Sequence, residues 1–156
     1  GRGYTVVSQT DADFGPPAGD LPRMPHAAKT ADVVIGSRYV PGGRTDGWVF
    51  RRRLLSKGAN LYTKFWLGFG IQDWTAGFRC YHAELLRRIQ LDQVSASGYS
   101  FQVEMAYRSK RKRARIQEVP IRFSDREEGI SKMSGGIAAE AIRLVPAMRF
   151  KRITRD

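Results

Sequence analysis

Asp32-Val33-Val34-Ile35-Gly36-Ser37-Arg38-Tyr39 is the stretch on which the fold turns. Its apolar core is continuous rather than alternating, as in a strand covered on both faces, the usual state of parallel strands in α/β domains. Arg38 follows at the carboxyl end, where open α/β sheets place their ligands. A guanidinium there can clasp a phosphate through two parallel hydrogen bonds. A surface arginine laying its stem along the strand end is the competing reading.

Working outward, Thr5-Val6-Val7-Ser8-Gln9 reads as a strand ending in Thr10-Asp11-Ala12-Asp13. Pro16, Pro17, Pro22 and Pro25 mark a loop with at most a short helix. Pro41-Gly42-Gly43 opens a long flexible loop up to Trp48. From Phe50 to Leu67, Phe50, Leu54, Tyr62, Phe65 and Trp66 recur at helical spacing, and Gly68 and Gly70 end the run. A strand over Ala76–Tyr81 precedes a short helix over Glu84–Ile89 and a second from Phe101 to about Arg111. Ile116–Phe123 reads as one strand, with Pro120 at an edge or a bulge. Ser124–Gly136 is a polar loop. Ile137 to Met148 closes as an amphipathic helix with Ile137, Ala141, Leu144 and Val145 inward. Strands alternating with helices give the α/β class, with one domain over residues 1–148 and a basic tail over 149–156.

The chain has 156 residues, 42% apolar and 27% charged, enough for one domain with a real core. No apolar run approaches the roughly 18–20 residues that cross a bilayer. The one cysteine, Cys80, excludes an internal disulfide and fits a reducing compartment. With His26 and His82 as its only histidines, the chain offers no ordinary zinc site. The net charge of +12 points to polyanions: nucleic acid, anionic lipid headgroups or phosphorylated substrates. The run Lys110-Arg111-Lys112-Arg113 favours nucleic acid. No zinc knuckle, RNA-binding strand signature or helix-turn-helix spacing accompanies it, so no nucleic-acid partner is expected and a basic nucleic-acid module is the rival class.

Asp11 and Asp13 at a strand end can hold Mg²⁺ or Mn²⁺ together with a diphosphate; ordinary turn chemistry is the alternative. Arg52 and Ser56 lie one helical turn apart and offer a guanidinium and a hydroxyl to one phosphate. Asp73, in Asp73-Trp74-Thr75-Ala76-Gly77-Phe78-Arg79, either positions a sugar or a cation or forms a structural ion pair with Arg79. Arg126 and Lys132 are two cations on a polar loop that can close over a diphosphate, or is an ordinary solvated loop. The helix ending at Phe150, flanked by Arg143, Arg149, Lys151 and Arg152, can lie on anionic lipid or simply pack on the core.

Taken in order, DADF, VVIGSRYVPGG, RRRLLSKGANLYT, DWTAGFRCY, SGYSFQVEM and EVPIRFSDREEGISKMS resemble the polyprenol-phosphate (dolichol-phosphate) mannose synthases of glycosyltransferase family 2. The resemblance runs from about Gly3 to Val145. It implies the carboxyl-terminal portion of a GT-A fold, a mixed sheet flanked by helices. It also implies an inverting, metal-dependent transfer of mannose from GDP-mannose to polyprenyl or dolichyl monophosphate. Transfer of glucose or another sugar, or an inactive fragment, is the nearer alternative. By resemblance Asp13, Arg38 and Asp73 are the catalytic set, and Asp11 and Asp13 bind Mg²⁺ or Mn²⁺. Asp11, Ala12, Asp13, Arg38, Arg126 and Lys132 bind the donor diphosphate, and Arg52 and Ser56 the acceptor phosphate. The protein is then expected at the cytoplasmic face of a membrane, as a peripheral protein.

Two departures accompany the resemblance. The family's amino-terminal βα segment, with PTYNE-like and DDGS-like stretches, is not among these residues. Most of the base and ribose pocket is therefore expected elsewhere: either the chain is a fragment, or self-association or a partner chain supplies the rest, or GDP-mannose is no longer bound well. Val6, Val7, Val33, Val34 and Ile35 are accordingly expected to lack neighbours. Gly15 and Pro16 also stand where the family carries Ser-His or Gln-His, which leaves the third metal ligand and the metal affinity open.

Overall fold

The computed structural model describes residues 5–10, 19, 22–124 and 135–150. Four strands form the main sheet: β1 (Val6–Gln9), β2 (Val33–Ser37), β4 (Arg79–His82) and β5 (Ile116–Pro120), in the order β1-β4-β2-β5. β4 runs antiparallel to both β1 and β2, and β2 runs parallel to β5. β2 therefore has one parallel neighbour rather than two, and the sheet is mixed as expected. β3 (Arg44–Asp46) and β6 (Arg122–Ser124) form a separate parallel pair. The helices are α1 (Arg23–Ala27), α2 (Phe50–Leu67), α3 (Ala83–Arg88), α4 (Gly98–Arg111) and α5 (Gly135–Phe150).

Every residue of β2 is buried. Its side chains alternate between two apolar clusters, as a strand's period of two requires. Val33 and Ile35 face Leu67, Trp74, Tyr81, Leu85, Met105 and Val145. Val34 faces Met24, Ala27, Phe78, Cys80, Val119 and Ile121. The expected shortage of neighbours is thus wrong for Val33, Val34 and Ile35, each 0% exposed, and holds only for Val7 on β1, which is 42% exposed. Asp32 anchors the start of β2 to that of β5, accepting the Arg115 backbone N–H at 2.8 Å and its guanidinium at 3.0 Å.

Three boundaries differ from the sequence reading. The loop expected after Pro41 contains β3. Gly43 packs so tightly on the end of β2 that a Cβ would stand 2.6 Å from the Ser37 carbonyl oxygen. That turn returns the chain alongside β6. The strand expected over Ile116–Phe123 divides after Pro120. Proline has no N–H for a ladder, and after it the Ile121 N–H bonds Ser37 O while Ile121 O accepts from Arg44 N. The strand expected from Ala76 begins only at Arg79, because the Arg79 guanidinium takes up the carbonyls of Trp74 and Ala76. The Ile137 side chain lies outside the described residues, but Val145 and Met148 of α5 are buried as an inward apolar face predicts.

Candidate functional site

β2 delivers Arg38 to the carboxyl end of the sheet, where it meets Asp73. The Arg38 backbone N–H and Nε donate to Asp73 Oδ2 at 3.0 and 2.8 Å, and Nη2 donates to Oδ1 at 2.8 Å. Nη2 also reaches Thr75 Oγ1 at 2.9 Å. Asp73 is fully buried. Burial pushes its carboxyl up, but the Arg38 hydrogen bonds and charge outweigh that and hold it below the ordinary carboxylate range. Burial likewise pulls the Arg38 guanidinium down, and Asp73 more than restores it. The proposed Asp73–Arg79 ion pair is not what forms. Arg79 instead donates to the carbonyls of Trp74, Ala76 and Gln102.

The loop carrying Asp73 is held from three sides. Glu118 on β5 accepts the backbone N–H groups of Gln72 and Asp73 at 2.8 and 2.9 Å. Asn60 on α2 accepts the Trp74 N–H at 2.7 Å and donates to Thr75 Oγ1 at 3.3 Å. Arg79 grips the carbonyl side. Buried backbone groups need partners, and here three buried or half-buried polar side chains supply them.

Trp48, just before α2, lies between two cations. The Arg52 guanidinium carbon sits 4.4 Å from its ring centroid and that of Arg38 5.2 Å. The negative ring face stabilises both. Arg38 also lies 5.3 Å from the Tyr39 ring, and the Tyr39 hydroxyl hydrogen-bonds the Ser56 hydroxyl. Phe123 on β6 meets Trp48 edge-on at 5.7 Å. Arg38, Arg52, Trp48, Thr75, Tyr99 and Thr10 line one cavity.

The structure thus brings together Arg38, Asp73, Arg52 and, through Tyr39, Ser56. Asp11, Ala12, Asp13, Arg126 and Lys132 lie outside the described residues. Thr10, which precedes Asp11 in the chain, is on the cavity wall. Among the described residues no three His, Cys, Asp or Glu side chains cluster to hold a metal. Sequence reasoning passed over Trp48, Tyr39, Asn60 and Glu118. A polar residue at position 60, on the face of α2 opposite the apolar positions, was the available signal for Asn60. The basic run at 110–113 is largely structural. Lys110 donates to Leu67 O at 3.1 Å, Lys112 is buried, and of the four only Arg113 is exposed. That weakens the case for a nucleic-acid surface.

No family model matches the chain. It is 49% identical over 141 residues to the undecaprenyl-phosphate mannosyltransferase of Micrococcus luteus, covering 90% of this chain and 58% of that protein. It is 46% identical over 142 residues to the polyprenol monophosphomannose synthase of Mycolicibacterium smegmatis, covering 90% of this chain and 54% of that protein. The chain spans just over half the length of these curated relatives.

Proposed function

This chain belongs to the family of these two polyprenyl-phosphate mannosyltransferases, and on that premise we propose that it takes part in transferring mannose from GDP-mannose to a polyprenyl monophosphate. The observation that carries the reading is the shelf where α2 meets the carboxyl end of β2. Arg52 stacked on Trp48, and Ser56 bonded to Tyr39, offer charge and a hydroxyl to one phosphate. The sheet beneath belongs in this reading to a GT-A fold.

A lipid monophosphate is already anionic at neutral pH, so it needs placement more than deprotonation. One of its oxygens attacks the mannose anomeric carbon from the side opposite the diphosphate. The bond from that carbon to the diphosphate oxygen breaks, its electron pair leaves on GDP, and the configuration inverts. Arg52 and Ser56 hold the attacking phosphate. Arg38 has Nε and Nη2 committed to Asp73 and Thr75, so it acts as a fixed wall whose charge Asp73 largely balances. Asp73 is therefore a positioning residue, and Arg52, stacked on Trp48, is the guanidinium assigned to the acceptor phosphate. Arg126 and Lys132 would close over the donor. Asp11 and Asp13, two carboxylates one residue apart in the chain, suit a hard cation. Mg²⁺ or Mn²⁺ held there would neutralise charge on the departing diphosphate.

The test is transfer from labelled GDP-mannose, with UDP-glucose as competing donor, to a short polyprenyl phosphate. Arg52→Ala removes a charged hydrogen bond worth about 2 kcal/mol, so kcat/KM falls roughly thirtyfold, mainly through the acceptor KM. Equal transfer by Arg52→Ala, or preference for UDP-glucose, would overturn the assignment.

A further inference from the structure

A hydroxyl inside a helix ordinarily turns back on its own backbone and donates to the carbonyl one turn earlier. Thr63 on α2 and Ser109 on α4 do this, reaching Ala59 O and Met105 O at 2.8 Å each. Ser56 on α2 departs from the rule. The carbonyl one turn before it belongs to Arg52, yet the Ser56 hydroxyl bonds the Tyr39 hydroxyl instead. Tyr39 is fixed from the sheet side of the site. It follows Arg38 at the end of β2, and its backbone N–H donates to Ser37 Oγ at 3.3 Å. The Arg38 guanidinium carbon lies 5.3 Å from its ring, and Arg38 is itself pinned by Asp73.

We propose that Tyr39 is a positioning residue for the acceptor phosphate: its hydroxyl keeps that of Ser56 off the Arg52 carbonyl and so reserves one O–H for a phosphate oxygen. The inference rests on the reading of Arg52 and Ser56 given above. Hydrogen-bond counting carries it. Each hydroxyl has one proton and can also accept. The bond between Tyr39 and Ser56 uses one of the two protons, and the other stays available to a ligand. With Tyr39 donating to Ser56, Ser56 donates onward, and each bond in such a chain polarises the next. A hydroxyl donating to an anionic oxygen makes one of the stronger hydrogen bonds. Without the phenol, Ser56 would take the ordinary course of Thr63 and Ser109 and spend its proton on Arg52 O. The phosphate would then keep the Arg52 charge and lose its neutral donor. The line Asp73, Arg38, Tyr39, Ser56 thus carries the rigidity of the buried ion pair to a helix on the far side of the site.

Calorimetric titration of the 156-residue chain with farnesyl phosphate, a short prenyl monophosphate, and with farnesol tests it. Tyr39→Phe keeps the ring beside Arg38 and loses only the hydroxyl. Ser56→Ala loses the hydroxyl that Tyr39 holds. The fold of each variant is checked by circular dichroism. Each should bind farnesyl phosphate about tenfold more weakly than the unaltered chain. The double variant should bind no more weakly than Ser56→Ala, because the two changes remove a single donor between them. Any binding of farnesol should be the same in all. Losses that add in the double variant, or a loss that farnesol shares equally, would mean that Tyr39 only supports the fold, and overturn the proposal. Full binding by Tyr39→Phe overturns it as well. So does full binding by Ser56→Ala, and if Arg52→Ala is still weak the acceptor reading stands on Arg52 without it. No binding of farnesyl phosphate by the unaltered chain counts against the acceptor reading itself, and the proposal falls with it.

Discussion

Helices α2 and α5 lie side by side, joined by a 2.8 Å hydrogen bond from the Tyr62 hydroxyl to Ile142 O, yet they differ in what they bury. α5 follows the common rule and sinks Val145 and Met148 into the larger apolar cluster. α2 buries polar Asn60 and Thr63 beside Leu67 and leaves Phe50, Leu54, Leu61 and Phe65 outside. The difference comes from what each helix covers. α5 covers apolar side chains. α2 covers the loop at 72–76, whose buried backbone groups need polar partners before they need apolar contact. Helical periodicity identifies an amphipathic helix, but the neighbour decides which of its faces goes in.

Several substitutions would break or sharpen that contrast. The largest effect is expected at the loop that α2 covers. Asp73→Asn leaves the Arg38 charge without its partner and costs roughly 3–5 kcal/mol at neutral pH. The pH dependence has a definite sign. Asp73 is held below its unfolded value by Arg38, against the opposing push of burial. Its contribution is therefore complete above about pH 4, the unfolded aspartate range, and is lost as pH falls through the lowered folded value. Urea titrations should show the gap between the native chain and Asp73→Asn constant from neutral pH to about pH 5 and narrowing below about pH 4. A gap that widens on acidification would contradict the ion pair.

Next in size is the pair that contrasts the two helices directly. Met148→Ala on α5 should cost roughly 2–5 kcal/mol. Phe65→Ala on α2, an exposed site, should stay within about 0.5 kcal/mol. Equal losses in chemical denaturation would mean that α2 is not exposed along that face. A loss between those two is expected at Asn60→Ala, about 1–3 kcal/mol for a Trp74 N–H left buried without its acceptor. Hydrogen exchange at the Trp74 amide should quicken with it. Unchanged exchange would show that Asn60 does not hold the loop.

Much of the site was legible because its residues occupy distinctive local positions. Arg38 ends a buried apolar strand, and Arg52 and Ser56 are one turn apart on an evident helix. The partner of Asp73 was not legible. Arg38 lies 35 residues away, whereas Arg79 lies six away and equally fits an ion pair by charge. Trp48 and Glu118 escaped notice for the same reason: their roles are contacts between segments distant in the chain.

By itself the sequence determined the α/β alternation, the burial of β2 on both faces, the extent of α2 and its end at Gly68, and the kinship to polyprenyl-phosphate mannosyltransferases. These rest on periodicity, turn chemistry and residue order, all of which are local or linear. Only the tertiary structure decided that Arg38 closes on Asp73, that two guanidiniums meet the Trp48 ring, that the strand at 116–123 divides between two sheets, and that α2 leaves Phe50, Leu54, Leu61 and Phe65 outside. Those outcomes depend on which buried donors and acceptors meet across the fold, and hydrogen-bond satisfaction between distant segments has no period that a sequence can display.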